Sequence, residues 1–385
     1  MPNPRKLRMT LWVLLALLSV PALGSGQPCP QMREEILSRF AGTLEEQVRA
    51  DGVGGITAAL AVGRDLVWAQ GFGWADREKG TPAGVNSIYR VGSISKSFTG
   101  VALLQLLEKG VVDLDSPVLE VLPELAGLRP PPEGSPAITF RHLASHTAGL
   151  IREPELADAA AGPLQEWEEK ILASVPTTSF MARPGDGYAY SNIGFGILGF
   201  ALSRASGIPF MELAAGSMFR PLGMTSSGFV VTPELAEDLA VGYSNGGDGT
   251  IDRETPAREH VGRGYKIPNG GIYSTVGDLA RFAAALSGKT SGMILGSEGR
   301  SLLVADQTPA GSANAYSFGF RLWDGPGGST LVGHGGSVAG YNAFLVFEPQ
   351  SGVAVILLRN YDQGATNLSA AGLGLLQEIL TCEGR

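Results

Sequence analysis

The stretch "YRVGSISKSFTGVALLQLLEKG", Tyr89–Gly110, sets a serine and a lysine three residues apart at the start of an apolar helix. Val101, Leu103, Leu104, Leu106 and Leu107 make that helix apolar on most of its surface, so it reads as buried, with Gly110 as its stop. Residues i and i+3 share a helix face, which brings the Lys96 amine toward the Ser93 hydroxyl. A serine is a weak nucleophile until a base takes its proton. A lysine stripped of water beside other cations gives up its own proton more readily and becomes such a base. If Ser93 lies in the first turn, its N–H and the helix dipole favour a developing oxyanion, and Gly92 lets a second group come close. These are the parts that start acyl transfer.

Upstream, residues 31–50 carry Ile36, Leu37, Phe40, Leu44 and Val48 at helical spacing. Two strands follow, over 56–63 and 66–75, turning at Gly63-Arg64-Asp65. From 111 to 265 the strand signal fades into loops and helices. "GLRPPPEGSPA" is a proline-rich loop, "TFRHLASHTAGL" opens on a Thr139 cap, and "SNIGFGILGFALSRASG" is a helix closed by Gly207. "SNGGDGTIDRETPAREH" is a long polar loop. Strands then return as "YSFGFRLW", "STLVGHGG", "YNAFLVFEP" and "GVAVILLRN", joined by turns short enough to favour antiparallel pairing. "ATNLSAAGLGLLQEILTC" is a closing helix. The expected fold is α/β of the α+β kind. Residues 31–110 and 266–385 form an antiparallel central sheet flanked by terminal helices, and 111–265 form an inserted, mainly helical lobe. A site belongs in the crevice between them.

With 44% hydrophobic and 17% charged residues, the chain has the balance of a globular protein. A net charge of −8 and no basic stripe beyond the extreme N-terminus give nucleic-acid binding no electrostatic support. That N-terminus reads as a signal peptide over residues 1–24. Arg5, Lys6 and Arg8 precede the apolar run Leu11–Val20, and "PALGSG" offers small residues for cleavage. The run is shorter than the roughly 20 residues of a spanning helix, so no membrane span is expected after cleavage. The expected location is outside the cytoplasm, periplasmic or extracellular. Cys29 and Cys382 stand near the two ends of the exported chain, where a disulfide between them and two unpaired thiols both fit. The cysteines and the four histidines match no metal-ligand spacing, and no cofactor is implied.

Other serine arrangements fare worse. "GGSVA", Gly335–Ala339, resembles a nucleophile elbow, but that motif needs a later histidine and none follows His334. Nothing independent selects His146 and Asp158 as triad partners of Ser93.

Three short motifs occur in order: "SISK" (Ser93–Lys96), "YSN" (Tyr190–Asn192) and "HGG" (His334–Gly336). Together with "LASHTAGL" (Leu143–Leu150) and "PNGGIYSTVGDLARF" (Pro268–Phe282), they make the chain resemble the penicillin-binding-protein-like serine hydrolases: class C β-lactamases, DD-peptidases and related esterases. The resemblance covers nearly everything after about residue 35. "KTSG" (Lys289–Gly292) looks like the family's usual third motif, but it has an extra serine and follows a helix. The resemblance implies a β-lactamase/transpeptidase-like fold and a role for each matched residue. Ser93 would be acylated. Lys96 would hold the hydrogen-bond network and share proton transfer. Tyr190 would be the general base, its phenol pKa lowered by nearby cations. Asn192 would bind the substrate amide and help position Lys96, although it also suits a helix cap. His334 and Gly336 would line the wall opposite Ser93, and the N–H groups of Ser93 and Ser337 would form the oxyanion hole. The implied reaction cleaves an ester, amide or D-amino-peptide bond in a small-molecule or peptide acyl substrate. Acyl transfer to an amine and a slowly deacylating penicillin sensor are the alternatives. Histidine in place of lysine at 334 weakens the pull on a substrate carboxylate. Oligomeric state is left open.

Overall fold

Side chains alternate across a strand, so a strand apolar at every position is covered on both faces. β1 (Gly55–Val62) and β2 (Asp65–Asp76) form the first hairpin, followed by the two-residue β3 (Thr81–Pro82). β4 (Arg321–Asp324), β5 (Thr330–Val338), β6 (Tyr341–Glu348) and β7 (Val353–Arg359) come from the C-terminal part. In the computed structural model, which describes residues 29–247, 249–288 and 294–384, these make one antiparallel sheet in the order β3-β2-β1-β7-β6-β5-β4. The signal segment and "KTSG" lie outside the described residues.

The register sets the two faces. Ile56 pairs with Arg359, and His334 pairs with Leu345. Ala59, Leu345, Phe347, Ile356 and Leu358 point into one core, while Leu60, Phe344, Val346, Val355 and Leu357 point into the other. The outer core lies under α1 (Cys29–Asp51) and the C-terminal helix Leu368–Cys382. The inner core runs from the sheet through α2 (Ser95–Glu108) and α3 (Asn192–Ser206) to Trp167 and Ile171 of the middle region. α4 (Val276–Ser287) lies against β7 on the inner face. The C-terminal helix is α5. Phe98 of α2 stacks on Phe282 of α4 with ring centroids 3.9 Å apart. Each such fully buried aromatic or leucine contributes on the order of 1.5–3 kcal/mol.

Local rules explain the element ends. Ser191, not Asn192, caps α3 by accepting from the Gly194 N–H at 3.0 Å, and Gly207 closes that helix at φ 69°. Thr139 forms a capping box with His142 over Phe140–Ala144. "YSFGFRLW" is strand only from Arg321 onward. The Ser317 N–H turns back to the Phe320 carbonyl at 2.8 Å, and Gly319, at φ 80°, packs against the backbone of Lys96. Cys29 and Cys382 form a disulfide, with Cα atoms 5.5 Å apart. Among the described residues no single helix is long and apolar enough to cross a membrane.

Candidate active site

Ser93 lies in a 3₁₀ turn, Gly92–Ile94, that feeds directly into α2. The turn is pressed against β5. A Cβ on Gly336 would stand 1.9 Å from the Val91 carbonyl and 3.2 Å from the Ser93 nitrogen. Gly92 has φ 52°, and a Cβ there would stand 2.8 Å from the Ser337 nitrogen. Glycine at both positions lets strand and turn approach closely, which brings the backbone nitrogens of Ser93 and Ser337 to one narrow gap.

Lys96 is fully buried. Its Nζ donates to Ser93 Oγ at 3.0 Å and to the Asn269 carbonyl at 3.1 Å. It also lies 4.9 Å from the Tyr190 ring centre. Burial holds its pKa well below that of a free lysine; Arg152, Lys266 and Arg263 push it further down, and Glu153 pulls it up. Desolvation and the three cations thus favour the neutral form of the amine beside the serine. Tyr190 behaves in the opposite way from the sequence expectation. Burial pushes its phenol up to about 12, and its bond with Ser93 and the charges of Arg152 and Arg321 do not offset that. The phenol therefore keeps its proton in the free site, and Lys96 is the neighbour whose pKa is lowered.

His334 sits on β5 with burial holding its pKa at about 3, so it is neutral. Nδ1–H donates to the Gly335 carbonyl at 2.5 Å, which leaves Nε2 to accept from the Tyr316 hydroxyl at 3.0 Å. Both ring nitrogens are thus engaged within the protein, rather than one being free to donate to substrate. Asn192 is buried, and its Nδ2 donates to Glu153 Oε1 at 2.6 Å. It reaches Lys96 only indirectly, because its carbonyl accepts from Asn269 Nδ2 at 2.7 Å while the Asn269 carbonyl holds the lysine.

A cavity of about 600 Å³ opens over Ser93. Tyr190, His334, Gly336 and Ser337 line it; Asn192 does not. Two arginines that sequence reading did not single out, Arg152 and Arg321, also line it. Arg152 stands 4.9 Å from the Tyr190 ring centre, and Arg321 donates to Asn314 Oδ1 at 3.0 Å. Also unassigned from sequence were Asn269 and His146, although both lie in the supporting phrases. His146 is buried at φ 61° and accepts from the Ser191 N–H at 3.0 Å through Nδ1. Its ring lies 4.2 Å from that of Tyr190, so it acts as a neutral buttress for the tyrosine.

Known proteins resemble this chain in sequence and in fold. The chain is 29% identical over 273 residues to the D-alanyl-D-alanine-carboxypeptidase/endopeptidase AmpH of Escherichia coli K12, covering 70% of this chain and 66% of that protein. It is 28% identical over 309 residues to the putative penicillin-binding protein PbpX of Bacillus subtilis (80% of this chain, 71% of the other). It is 27% identical over 280 residues to esterase EstB of Burkholderia gladioli (65% and 70%). The structure superposes on the octameric penicillin-binding protein homologue from Pyrococcus abyssi with a TM-score of 0.76 at 26% identity, covering 91% of this chain and 78% of that one. It superposes on a class C β-lactamase at 0.73 and 18% identity, covering 91% and 98%, which speaks to fold alone. A family model described as Beta-lactamase matches residues 40–377, so with a central antiparallel sheet, a Ser93–Lys96 pair and these relatives, the chain belongs to the β-lactamase family.

Proposed function

We propose that this protein is an exported serine hydrolase that cleaves an ester, amide or D-amino-peptide bond through an acyl-enzyme on Ser93. The observation that carries the reading is the 3.0 Å contact between Ser93 Oγ and a fully buried, charge-depleted Lys96 Nζ. Lys96 takes the Ser93 proton as Oγ attacks the substrate carbonyl carbon. The new oxyanion is held by the N–H groups of Ser93 and Ser337, which the close approach at Gly92 and Gly336 brings together. The carbonyl re-forms, the bond to the leaving group breaks, and the proton passes to that group from Lys96 through the Tyr190 hydroxyl. Water then attacks the acyl carbon, gives its proton to Lys96, and returns Ser93 Oγ as a hydroxyl with release of the acid.

Arg152 and Arg321 restore to the cavity the positive charge that histidine at 334 does not supply. They favour substrates with a carboxylate near the scissile bond, as in D-amino peptides and penicillins. Export is supported by the Cys29–Cys382 bridge, which suits an oxidising compartment, and by the leader-like residues 1–24. The test is covalent labelling by a fluorophosphonate and by a fluorescent penicillin. Wild type takes the label and Ser93→Ala does not; equal labelling of both ends the reading. Parallel assays on p-nitrophenyl esters, nitrocefin and D-amino-acid p-nitroanilides, with and without added D-amino acids, identify the bond and separate hydrolysis from acyl transfer.

A further inference from the structure

Against the Gly270–Tyr273 segment lies a second charged cluster, of which the proposed chemistry uses only the long-range charge of Arg263. Arg90 is completely buried and Arg263 is 4% exposed. Both turn toward one carboxylate oxygen. Arg90 Nη2 donates to Glu259 Oε2 at 2.5 Å, and Arg263 Nε lies 3.9 Å from that same atom. Among the described residues, the Arg90 Nε and Nη1 and the Arg263 Nε have no hydrogen-bond partner. A buried guanidinium with open N–H groups is costly, and unlike a lysine it does not escape by losing its proton at neutral pH.

The surroundings do not balance the charge. His260 donates or accepts with the Tyr273 hydroxyl at 2.7 Å, and burial holds its pKa at about 4, so it is neutral. Tyr273 and Tyr341 are neutral phenols, their pKa values raised by burial. Two cations therefore face one carboxylate, leaving one positive charge in excess. Beside them is a cavity of about 170 Å³ whose walls include Arg263, Glu259, His260, Gly271 and Tyr273. One wall carries Arg263 and Glu259, the opposite one is apolar with Leu164, Phe229, Val230 and Ile267, and the space is too small for an organic substrate of any length.

We propose that a small monovalent anion, chloride or a carboxylate no larger than acetate, binds in this cavity against Arg263 and completes the charge balance of the Arg90–Glu259–Arg263 cluster. The site abuts the catalytic cradle. Arg263 Nη1 donates to the Gly270 carbonyl, next to the Asn269 carbonyl that holds Lys96. Arg90, three residues before Ser93 in sequence, pairs through its strand with Tyr273. A bound anion therefore braces the segment on which the lysine rests.

The test uses the purified protein, melted at constant ionic strength while gluconate, too bulky for the cavity, is exchanged for chloride or for formate. The expected result is a saturable rise in Tm; whether chloride or formate drives it at lower concentration names the source. Glu259→Gln removes the competing carboxylate and shifts half-saturation to about tenfold less anion. Arg263→Gln abolishes the dependence. Should Arg263→Gln fail to fold, crystals of wild type soaked in bromide read the site directly, with an anomalous peak within hydrogen-bond distance of Arg263 expected. Identical melting in all three salts for both wild type and Glu259→Gln, or a bromide map empty at Arg263, overturns the proposal.

Discussion

Lys96 and Arg90 belong to the same short segment, and both are buried without residue, yet the regions around them treat a cation differently. Around Lys96 the neighbours are Arg152, Lys266 and Arg263, against Glu153, and burial with these cations presses the amine toward its neutral form. Around Arg90 the neighbours are Glu259 and another arginine, and a guanidinium keeps its charge. The lesson is that burial alone does not specify chemistry. A side chain able to shed its charge becomes a base under the same pressure that makes an arginine demand a counter-ion.

The most severe way to break this contrast is Lys96→Arg. It preserves a cation at the site and removes the neutral amine that both proton abstractions, from Ser93 and from water, require. We expect kcat/KM on the best substrate to fall by about 10³–10⁴-fold. Near-normal turnover would mean that the lysine is not the base. Next comes Gly336→Ala, which puts a methyl against the Val91 carbonyl and forces β5 away from the Ser93 turn. Loss of one oxyanion donor predicts a drop of about 10²-fold in kcat, with KM changed much less. Steady-state kinetics that show the loss in KM instead would place the damage in binding.

Arg90→Met tests the other side of the contrast. It removes the short bond to Glu259 but also the surplus cation, and Glu259 is partly exposed and still faces Arg263, so urea unfolding should show a loss of only about 1–2 kcal/mol, less than for breaking a fully buried pair. The smallest effect is the most diagnostic. The folded-state pKa of Lys96 lies below its unfolded value, so between the two the unfolded chain binds the extra proton and stability rises with pH. Lys96→Met removes that dependence. The variant should be inactive yet about 1 kcal/mol more stable than wild type near neutral pH, with the gap closing as pH approaches the unfolded lysine value of about 10.4. In the wild type the same group makes kcat/KM fall as acid protonates the amine, whereas His334, with its pKa at about 3, stays neutral over that range.

Much of this was legible in the sequence because it is local. Near-continuous apolar runs in Tyr341–Glu348 and Val353–Arg359 announce buried strands, and Ser93 with Lys96 three residues on announces a shared helix face. What was not legible depends on competition between distant groups. Cations near Tyr190 suggest a lowered phenol pKa, but the sign is set by how much water the fold removes, and that term wins. Arg152 and Arg321 are far apart in sequence, and no spacing announces that they share a cavity. The cap on α3 went to Ser191 and not Asn192 because only the serine side chain reaches the Gly194 N–H. "YSFGFRLW" has strand composition throughout, but Gly319 must pass the Lys96 backbone too closely for a ladder to continue upstream of Arg321.

The bridge between Cys29 and Cys382 has a mechanical meaning. It links residues 353 apart, so a tug on both ends is borne by covalent sulfur before it reaches any ladder between β1 and β7. Stretching the oxidised protein should yield almost no extra contour length, whereas the reduced protein should unravel through its sheet. The pocket over Ser93, whose walls include β5 and β6, would thus keep its shape while the ends are pulled.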